Sequence, residues 1–313
     1  MQTQAQSAAP RVSVVIPCYN QGHFLTQAIE SVRMSSITDV EVVVVDDGST
    51  DETSTIARAS GVTCIRQSNA GLARARNRGL DAAAGAMIVF LDADDQLAPG
   101  ALDIGVAELS ARPECLLVFG RCRTVDPGGR VISDDDDVSP QIERDHYLEL
   151  LRGNYIWMPA LAMLRRDAVA AAGGFDPSVN AAADYQLYLH LARKGGLHDH
   201  GQVVASYRRH DANMSRDSAR MLRESLTVLR RQRQFVTGDR QLEAAYRDGV
   251  RHWREYYGDE LVNEIRADVR SRRWLTALRK GSTLARYHPA GMLHHAQKKV
   301  ALTAGGEPRT RSG

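Results

Sequence analysis

Asp92 and Asp94 stand two residues apart directly after the apolar run Ala86–Leu91. Two carboxylates at this spacing on a tight loop can face one point and offer hard oxygen ligands to Mg2+ or Mn2+, whose remaining positions suit water and phosphate oxygens. Alone, an Asp-x-Asp turn is as readily a capping or Asx-turn pair. Two more polar segments also end apolar runs: Pro17-Cys18-Tyr19-Asn20 and Asp46-Asp47-Gly48-Ser49. In an open parallel sheet ligands bind beyond the carboxyl ends of the strands, so these carboxylates are expected to converge on one rim. Clustered like charges there need a cation or hydrogen-bond donors to stay ionised. Arg74, Arg76 and Arg78 lie two apart on a predicted helix and cannot all face one way.

The elements that must position these groups follow from the apolar pattern. Val12–Pro17, Val40–Val45, Val62–Arg66 and Ala86–Leu91 read as strands, separated by helix-compatible stretches. Nearly continuous apolar strands in a βαβα rhythm predict an α/β fold with a mostly parallel sheet covered by helices on both faces. After Asp95 the rhythm breaks. Pro99 is placed to open a helix, Cys115–Gly120 reads as a further strand, and Asp126-Pro127-Gly128-Gly129 is a turn signal. The acidic run Asp134–Asp137 reads as a solvated loop, and Ala183–Arg193 as a helix. From about residue 216 the chain is expected to be helical. Leu242, Tyr246, Val250, Trp253, Tyr257, Leu261 and Ile265 share one helix face, and Gly258 weakens a single unbroken helix. The expected organisation is a flexible residue 1–11 segment, a domain over 12–215 with halves 12–95 and 96–215, a basic helical region over 216–304, and a flexible 305–313 tail.

The 313 residues carry a formal charge of only +2, but residues 216–313 hold 21 Lys plus Arg against 11 Asp plus Glu, a net of +10, leaving −8 for residues 1–215. An acidic front and a basic tail point to different partners for the two parts. Cys18, Cys64, Cys115 and Cys122 form no CxxC pair, which argues against a zinc site or a disulfide framework. With polar residues 1–11 and no apolar run near the roughly 20 residues of a membrane span, a cytoplasmic protein is expected, or one peripheral on the inner face of the membrane.

Taken in order, Val12-Ser-Val-Val-Ile-Pro-Cys-Tyr-Asn20, Val45-Asp-Asp-Gly-Ser-Thr-Asp51, Asn69-Ala-Gly-Leu-Ala-Arg-Ala-Arg-Asn-Arg-Gly79 and Phe90-Leu-Asp-Ala-Asp-Asp95 resemble the family 2 glycosyltransferases. The resemblance continues through Gly173-Gly-Phe-Asp-Pro177, Ala183-Asp-Tyr-Gln-Leu187 and Tyr207-Arg-Arg-His-Asp-Ala-Asn-Met214, covers roughly residues 11–215, and leaves the basic tail outside. It implies a GT-A fold followed by a helical C-terminal region. It also implies an inverting transfer from a nucleotide-diphosphate sugar, UDP- or dTDP-linked by preference, to a saccharide or lipid-linked saccharide hydroxyl in bacterial polysaccharide, lipopolysaccharide or glycolipid assembly. By this resemblance Pro17, Tyr19 and Asp46 would hold the base, Arg76 the nucleotide or diphosphate, and Asp92 and Ala93 the ribose side. Asp94 and His210 would hold a divalent Mn2+ or Mg2+, and Asp184 would be the catalytic base. Many members carry an acid just before that Asp, where this chain has Ala183. Trp157 and Met158 are candidates for an acceptor-side wall, with core packing as the ordinary alternative.

Competing classes lack their signatures. No GxGxxG follows the first strand, as a dehydrogenase would require, and no GxxxxGK[ST] marks a P-loop. A catalytically silent nucleotide-sugar-binding partner protein is the alternative, with Ala183 as its one hint. Nucleic acid is not an expected partner; an anionic membrane surface is, through the basic region.

Overall fold

Every residue of Val12–Cys18 (β1) is buried, so this strand must have neighbours on both edges and both faces. It lies between Val40–Asp46 (β2) and Met87–Phe90 (β4), parallel to both, with Thr63–Arg66 (β3) parallel to β2 at the edge. The computed structural model describes residues 11–134, 142, 145–211 and 213–289. Residues 1–10 and 305–313 of the proposed flexible termini, residues 290–304 of the expected helical region and Asp135–Asp137 of the acidic run lie outside them. Helices Gly22–Arg33 (α1), Thr53–Ala59 (α2) and Leu72–Ala82 (α3) connect these four strands. The chain divides into two units at Met214/Ser215.

The parallel arrangement stops at β4. The rest of the first unit runs through Gln96–Leu97 (β5), Ala101–Ala111 (α4), Cys115–Val125 (β6), Val131–Asp134 (β7), His146–Arg152 (α5), Ala162–Arg165 (β8), Arg166–Ala171 (α6), Ala183–Ala192 (α7) and Gly196–Arg208 (β9). Among the described residues the sheet has nine strands in the order β3-β2-β1-β4-β8-β6-β9-β5, with β7 on β6. Its second half is mixed: β8 is antiparallel to β4 and β6, β5 to β9 and β7 to β6, while β9 is parallel to β6. Strand β6 does not end at Gly120. A Cβ there would lie 2.2 Å from the Gln202 carbonyl oxygen, so the glycine marks a close approach at an irregularity in the β6–β9 register, and the strand continues to Val125.

The second unit is built from Ser218–Val236 (α8), Arg240–Arg270 (α9) and Trp274–Tyr287 (α10). Asp217 and Asp239 cap the first two, each accepting backbone N–H bonds from the first turn. Trp253, Tyr257 and Leu261 of the expected stripe are buried, and the two aromatic rings stack 5.3 Å apart. Helix α9 runs unbroken through Gly258, where a Cβ would come within 2.7 Å of the His288 ring. That glycine is a packing requirement and not a stop. No helix among the described residues is long and apolar enough to cross a membrane.

Helix α3 must lie close on β1 to bring Arg76 under the strand ends, and Gly79 permits it. An added Cβ would meet Val15 Cγ1 at 2.2 Å, and Ala73 and Ala75 keep the rest of that face thin. Gly79→Ala is therefore expected to destabilise the first unit by about 1–3 kcal/mol through overpacking. Urea denaturation checks this, and an unchanged midpoint would show that α3 can move away at no cost.

Candidate active site

The ends of β1 and β2 are laced together by side chains. Asn20, at φ 53°, receives a bond on its Oδ1 from Thr50 N at 2.8 Å and gives its own N–H to Ser49 Oγ at 3.0 Å. Asp51 accepts from Gly22 N at 2.9 Å and from Thr53 N at 3.1 Å, so one carboxylate serves the first residues of both α1 and α2. Asp47 takes the N–H groups of Ala70 and Gly71 ahead of α3. Asp46 is fully buried and accepts from Ser49 N at 2.8 Å and from Ser54 Oγ, with Arg66 at 3.4 Å. Burial works against its charge, but the serine bonds and Arg66 win and hold the carboxyl below the ordinary range. Tyr19 is 49% exposed, whereas Pro17 is buried past the last β1–β4 pair, where its missing N–H leaves no gap in that ladder.

A second group forms around Arg76. Of the three arginines of α3, Arg74 and Arg78 are exposed and Arg76 is buried. Its Nη2 bonds both oxygens of Asp92, at 2.7 and 3.0 Å, and the guanidinium lies 5.3 Å from the Phe175 ring centre. Burial opposes its charge, yet Asp92 and Asp184 together hold it more firmly protonated than usual. Asp184 occupies the first turn of α7, is buried, and accepts from Tyr185 N. Burial pushes its carboxyl up to about 6, with Arg76 pulling the other way. Two clips hold α3 against the chain that leads to α7. Asn77 exchanges two 2.8 Å bonds with the backbone of Phe175, and Asn180 Oδ1 accepts from Ala73 N. Gly174, at φ +70° and with only 2.4 Å between a would-be Cβ and Asn77 Oδ1, has to be glycine for the first clip to form.

The third group joins Asp94 to His210. Asp94 Oδ2 lies 2.8 Å from His210 Nε2 and 2.9 Å from Gln21 Nε2. Burial and the neighbouring Asp92 raise the Asp94 carboxyl, against His210. Asp95 is raised further, by burial and then by Asp94 and Asp92, and accepts from Arg208 N. Arg208 is among the largest fully buried side chains. It donates to the Asp94 carbonyl at 2.8 Å, the Pro127 carbonyl at 2.7 Å and Gln27 Oε1 at 2.7 Å, and lies over the Phe24 ring. The Tyr-Arg-Arg-His segment had drawn attention only for His210, and nothing in the sequence marked Gln21, Gln27, Asn77 or Asn180 as partners.

The sequence-selected residues thus fall into three neighbourhoods: Asp46 with Ser49, Ser54 and Arg66; Arg76 with Asp92 and Asp184; Asp94 with His210. Ala93 is buried in the turn between the two aspartates. Met158 is buried in the core, while Trp157 is exposed and edge-on to Tyr207. Cys18 is buried, 3.6 Å from Thr53 Oγ1, and burial lifts its thiol to about 11. No group of three or more His, Cys, Asp or Glu side chains among the described residues forms a metal cage. One carboxylate and one imidazole at Asp94 and His210 suit instead a Mn2+ or Mg2+ that draws its other ligands from water and phosphate, and not a structural zinc.

The description "Glycosyl transferase family 2" matches residues 13–172. A chondroitin synthase from Escherichia coli is 30% identical over 211 residues, which is 66% of this chain and 30% of that protein. The chain spans only 21–30% of the length of the first curated relatives it matches. Among solved structures, Staphylococcus aureus TarS in complex with UDP-GlcNAc superposes with a TM-score of 0.63 at 17% identity, over 90% of this chain and 82% of that one. The Pyrobaculum calidifontis mannosyltransferase PcManGT, in complex with GDP-Man and Mn2+, gives 0.59 at 21% identity, over 95% and 87%. With the family description covering half its length and a GT-A fold carrying the strand-end carboxylates, the chain belongs to glycosyl transferase family 2.

Proposed function

We propose that the protein transfers a sugar from a nucleoside-diphosphate donor to a saccharide or lipid-linked saccharide hydroxyl in polysaccharide, lipopolysaccharide or glycolipid assembly, with inversion at the anomeric carbon. The observation that carries this reading is Asp184, a buried carboxyl on a rigid helix with its affinity for protons raised to about 6. Such a group is ionised near neutral pH yet more basic than an ordinary carboxylate, which is what removing a hydroxyl proton during attack demands. As the acceptor oxygen bonds to the anomeric carbon, the bond from that carbon to the phosphate oxygen breaks, Asp184 takes the hydroxyl proton, and the nucleoside diphosphate leaves. A single displacement needs no protein nucleophile, and the buried, protonated Cys18 thiol is unsuited to be one.

On this reading Asp94 and His210 would hold a divalent ion, Mn2+ or Mg2+, whose chemistry is to neutralise charge on the departing diphosphate. Arg76 bonds both oxygens of Asp92 and, against burial, favours the charged form of Asp184. Asp46, Pro17 and Tyr19 stand at the β1 and β2 ends, where the base would lie, and Asp92 and Ala93 on the ribose side. A uridine or thymidine donor is favoured by the family likeness. UDP-GlcNAc is bound by TarS, while PcManGT binds GDP-Man, so a panel of UDP-, dTDP- and GDP-sugars with Mn2+ is the direct test of the base.

Above pH 6 the folded protein must keep a buried carboxylate charged. Because its proton affinity is higher folded than unfolded, that cost is absent below about pH 4 and complete above about pH 6. Asp184→Asn is accordingly expected to raise stability at pH 8 by up to about 3 kcal/mol while lowering kcat by 100-fold or more, roughly the scale of lost general-base catalysis. In the wild type kcat/KM should fall about tenfold per pH unit below about 6. Transfer that persists in Asp184→Asn with donor binding intact would remove Asp184 as the base.

Asp94→Ala is expected to abolish Mn2+-dependent tightening of UDP binding while leaving the fold intact. Calorimetric titration with and without EDTA measures it, and an unchanged metal dependence would exclude Asp94 as a ligand.

A further inference from the structure

Helix α10 carries its bulky apolar residues on the wrong side for a helix that only packs. Trp274, Leu275 and Leu278 are 57%, 75% and 69% exposed, whereas Ala277 and Leu284 are buried. At about 100° per residue Trp274, Leu275, Leu278 and Ala285 fall within one arc of about 100°, with Arg279 and Arg286 at its edge. The other side of the helix carries Ala277, Leu284 and Lys280, and Lys280 bonds Glu264 and Asp268 of α9 at 2.9 and 2.8 Å. Docking onto α9 therefore uses one alanine, one leucine and a charged lysine, and the outward face is left large and oily. Arg279 is exposed at the edge of this face and Arg272 is exposed two residues ahead of the helix, and among the described residues neither makes an ion pair.

We infer that this face of α10 docks on an anionic lipid surface, with Trp274, Leu275 and Leu278 entering the headgroup boundary and Arg272, Arg279 and Arg286 meeting lipid phosphates. The choice of occupant rests on charge. Residues 215–313 have a net charge of +10, so a second copy would bring like charge to like. Residues 290–313 contain four Lys plus Arg and one Glu, and are no better matched to an arginine rim. A negatively charged surface is complementary both to that rim and to the unit as a whole. An aromatic and two leucines flanked by arginines are what an interfacial helix uses to sit in the plane of a bilayer. The inference goes beyond the transfer reaction proposed above and is tested without it.

The test is flotation of the full chain with phosphatidylcholine vesicles, with and without phosphatidylglycerol, alongside light scattering in vesicle-free buffer. Flotation is expected only with phosphatidylglycerol, accompanied by a blue shift of tryptophan emission that Trp274→Phe removes. Leu275→Ser/Leu278→Ser should weaken partitioning at least about tenfold, and Arg272→Gln/Arg279→Gln by about fivefold per arginine, with unfolding midpoints unchanged. Binding to both vesicle types alike, undiminished flotation of the leucine variant, or a vesicle-free dimer that this variant dissociates would each overturn the assignment. Donor binding measured on the same preparations separates failure here from failure of the transferase reading.

Discussion

A carboxylate taken out of water without a partner costs several kcal/mol, and this protein gathers the buried Asp94, Asp95 and Asp184 and the half-buried Asp92 at the end of one strand and the start of one helix. The buried guanidinium of Arg76 makes half of that arrangement tenable, bridging both oxygens of Asp92 and drawing on Asp184. Much of the surrounding architecture can be understood as holding that one charge in place. Gly79 lets α3 lie on β1, Asn180 caps its first turn, and Asn77 ties its middle to the loop before α7. The remaining two carboxylates are handled differently. Asp94 leans on His210 and Gln21, and Asp95 on a backbone N–H, so both are left with raised proton affinity. A divalent cation would find at Asp94 a site not already satisfied by an arginine.

The parallel half of the sheet was legible because physics writes it locally. A strand buried on both faces must be nearly continuous in apolar residues, and β1, the second half of β2 and β4 each show such a run within seven residues or fewer. The mixed half was legible only in part: the sequence marks the start of β6 and helix α7, but not the pairing. Strand β9 is Gly-Leu-His-Asp-His-Gly-Gln-Val-Val-Ala-Ser-Tyr-Arg, with neither alternation nor a continuous apolar run, and it pairs with β6 in parallel and with β5 in antiparallel fashion. Partners supplied from such a distance leave no local trace. Gly120 and Gly258 misled for a related reason: both looked like interruptions, and both are places where another part of the chain comes too near for a Cβ.

Site residues showed the same division. Asp92, Asp94, Asp184 and Arg76 stand out through motif order, and the structure pairs Arg76 with Asp92 and sets Asp184 within its electrostatic reach. What motif order could not reveal is how they are supported. Asp51 and Asp47 are natural helix N-cap types, but only the structure shows that Asp51 serves α1 as well as α2 and that Asp47 serves the approach to α3, so the acidity of the first unit is in part the cost of building a rim from helix and strand ends. The basic excess of the second unit has a different origin, lying mostly on helix surfaces where it is not consumed by internal pairing.

Arg208 bears on how variation in this chain should be interpreted. Its guanidinium reaches the backbone of Asp94, the turn at Pro127 and the side chain of Gln27 on α1, joining segments up to 181 positions apart, while its own N–H engages Asp95. A substitution there would loosen the aspartate loop and the approach to His210 together, without removing any group proposed to meet a sugar or a phosphate. In a mutational survey it would score as intolerant as Asp184. Intolerance in this protein is therefore no guide to chemistry: the positions that fail together trace the wiring of the rim as much as the reaction performed on it.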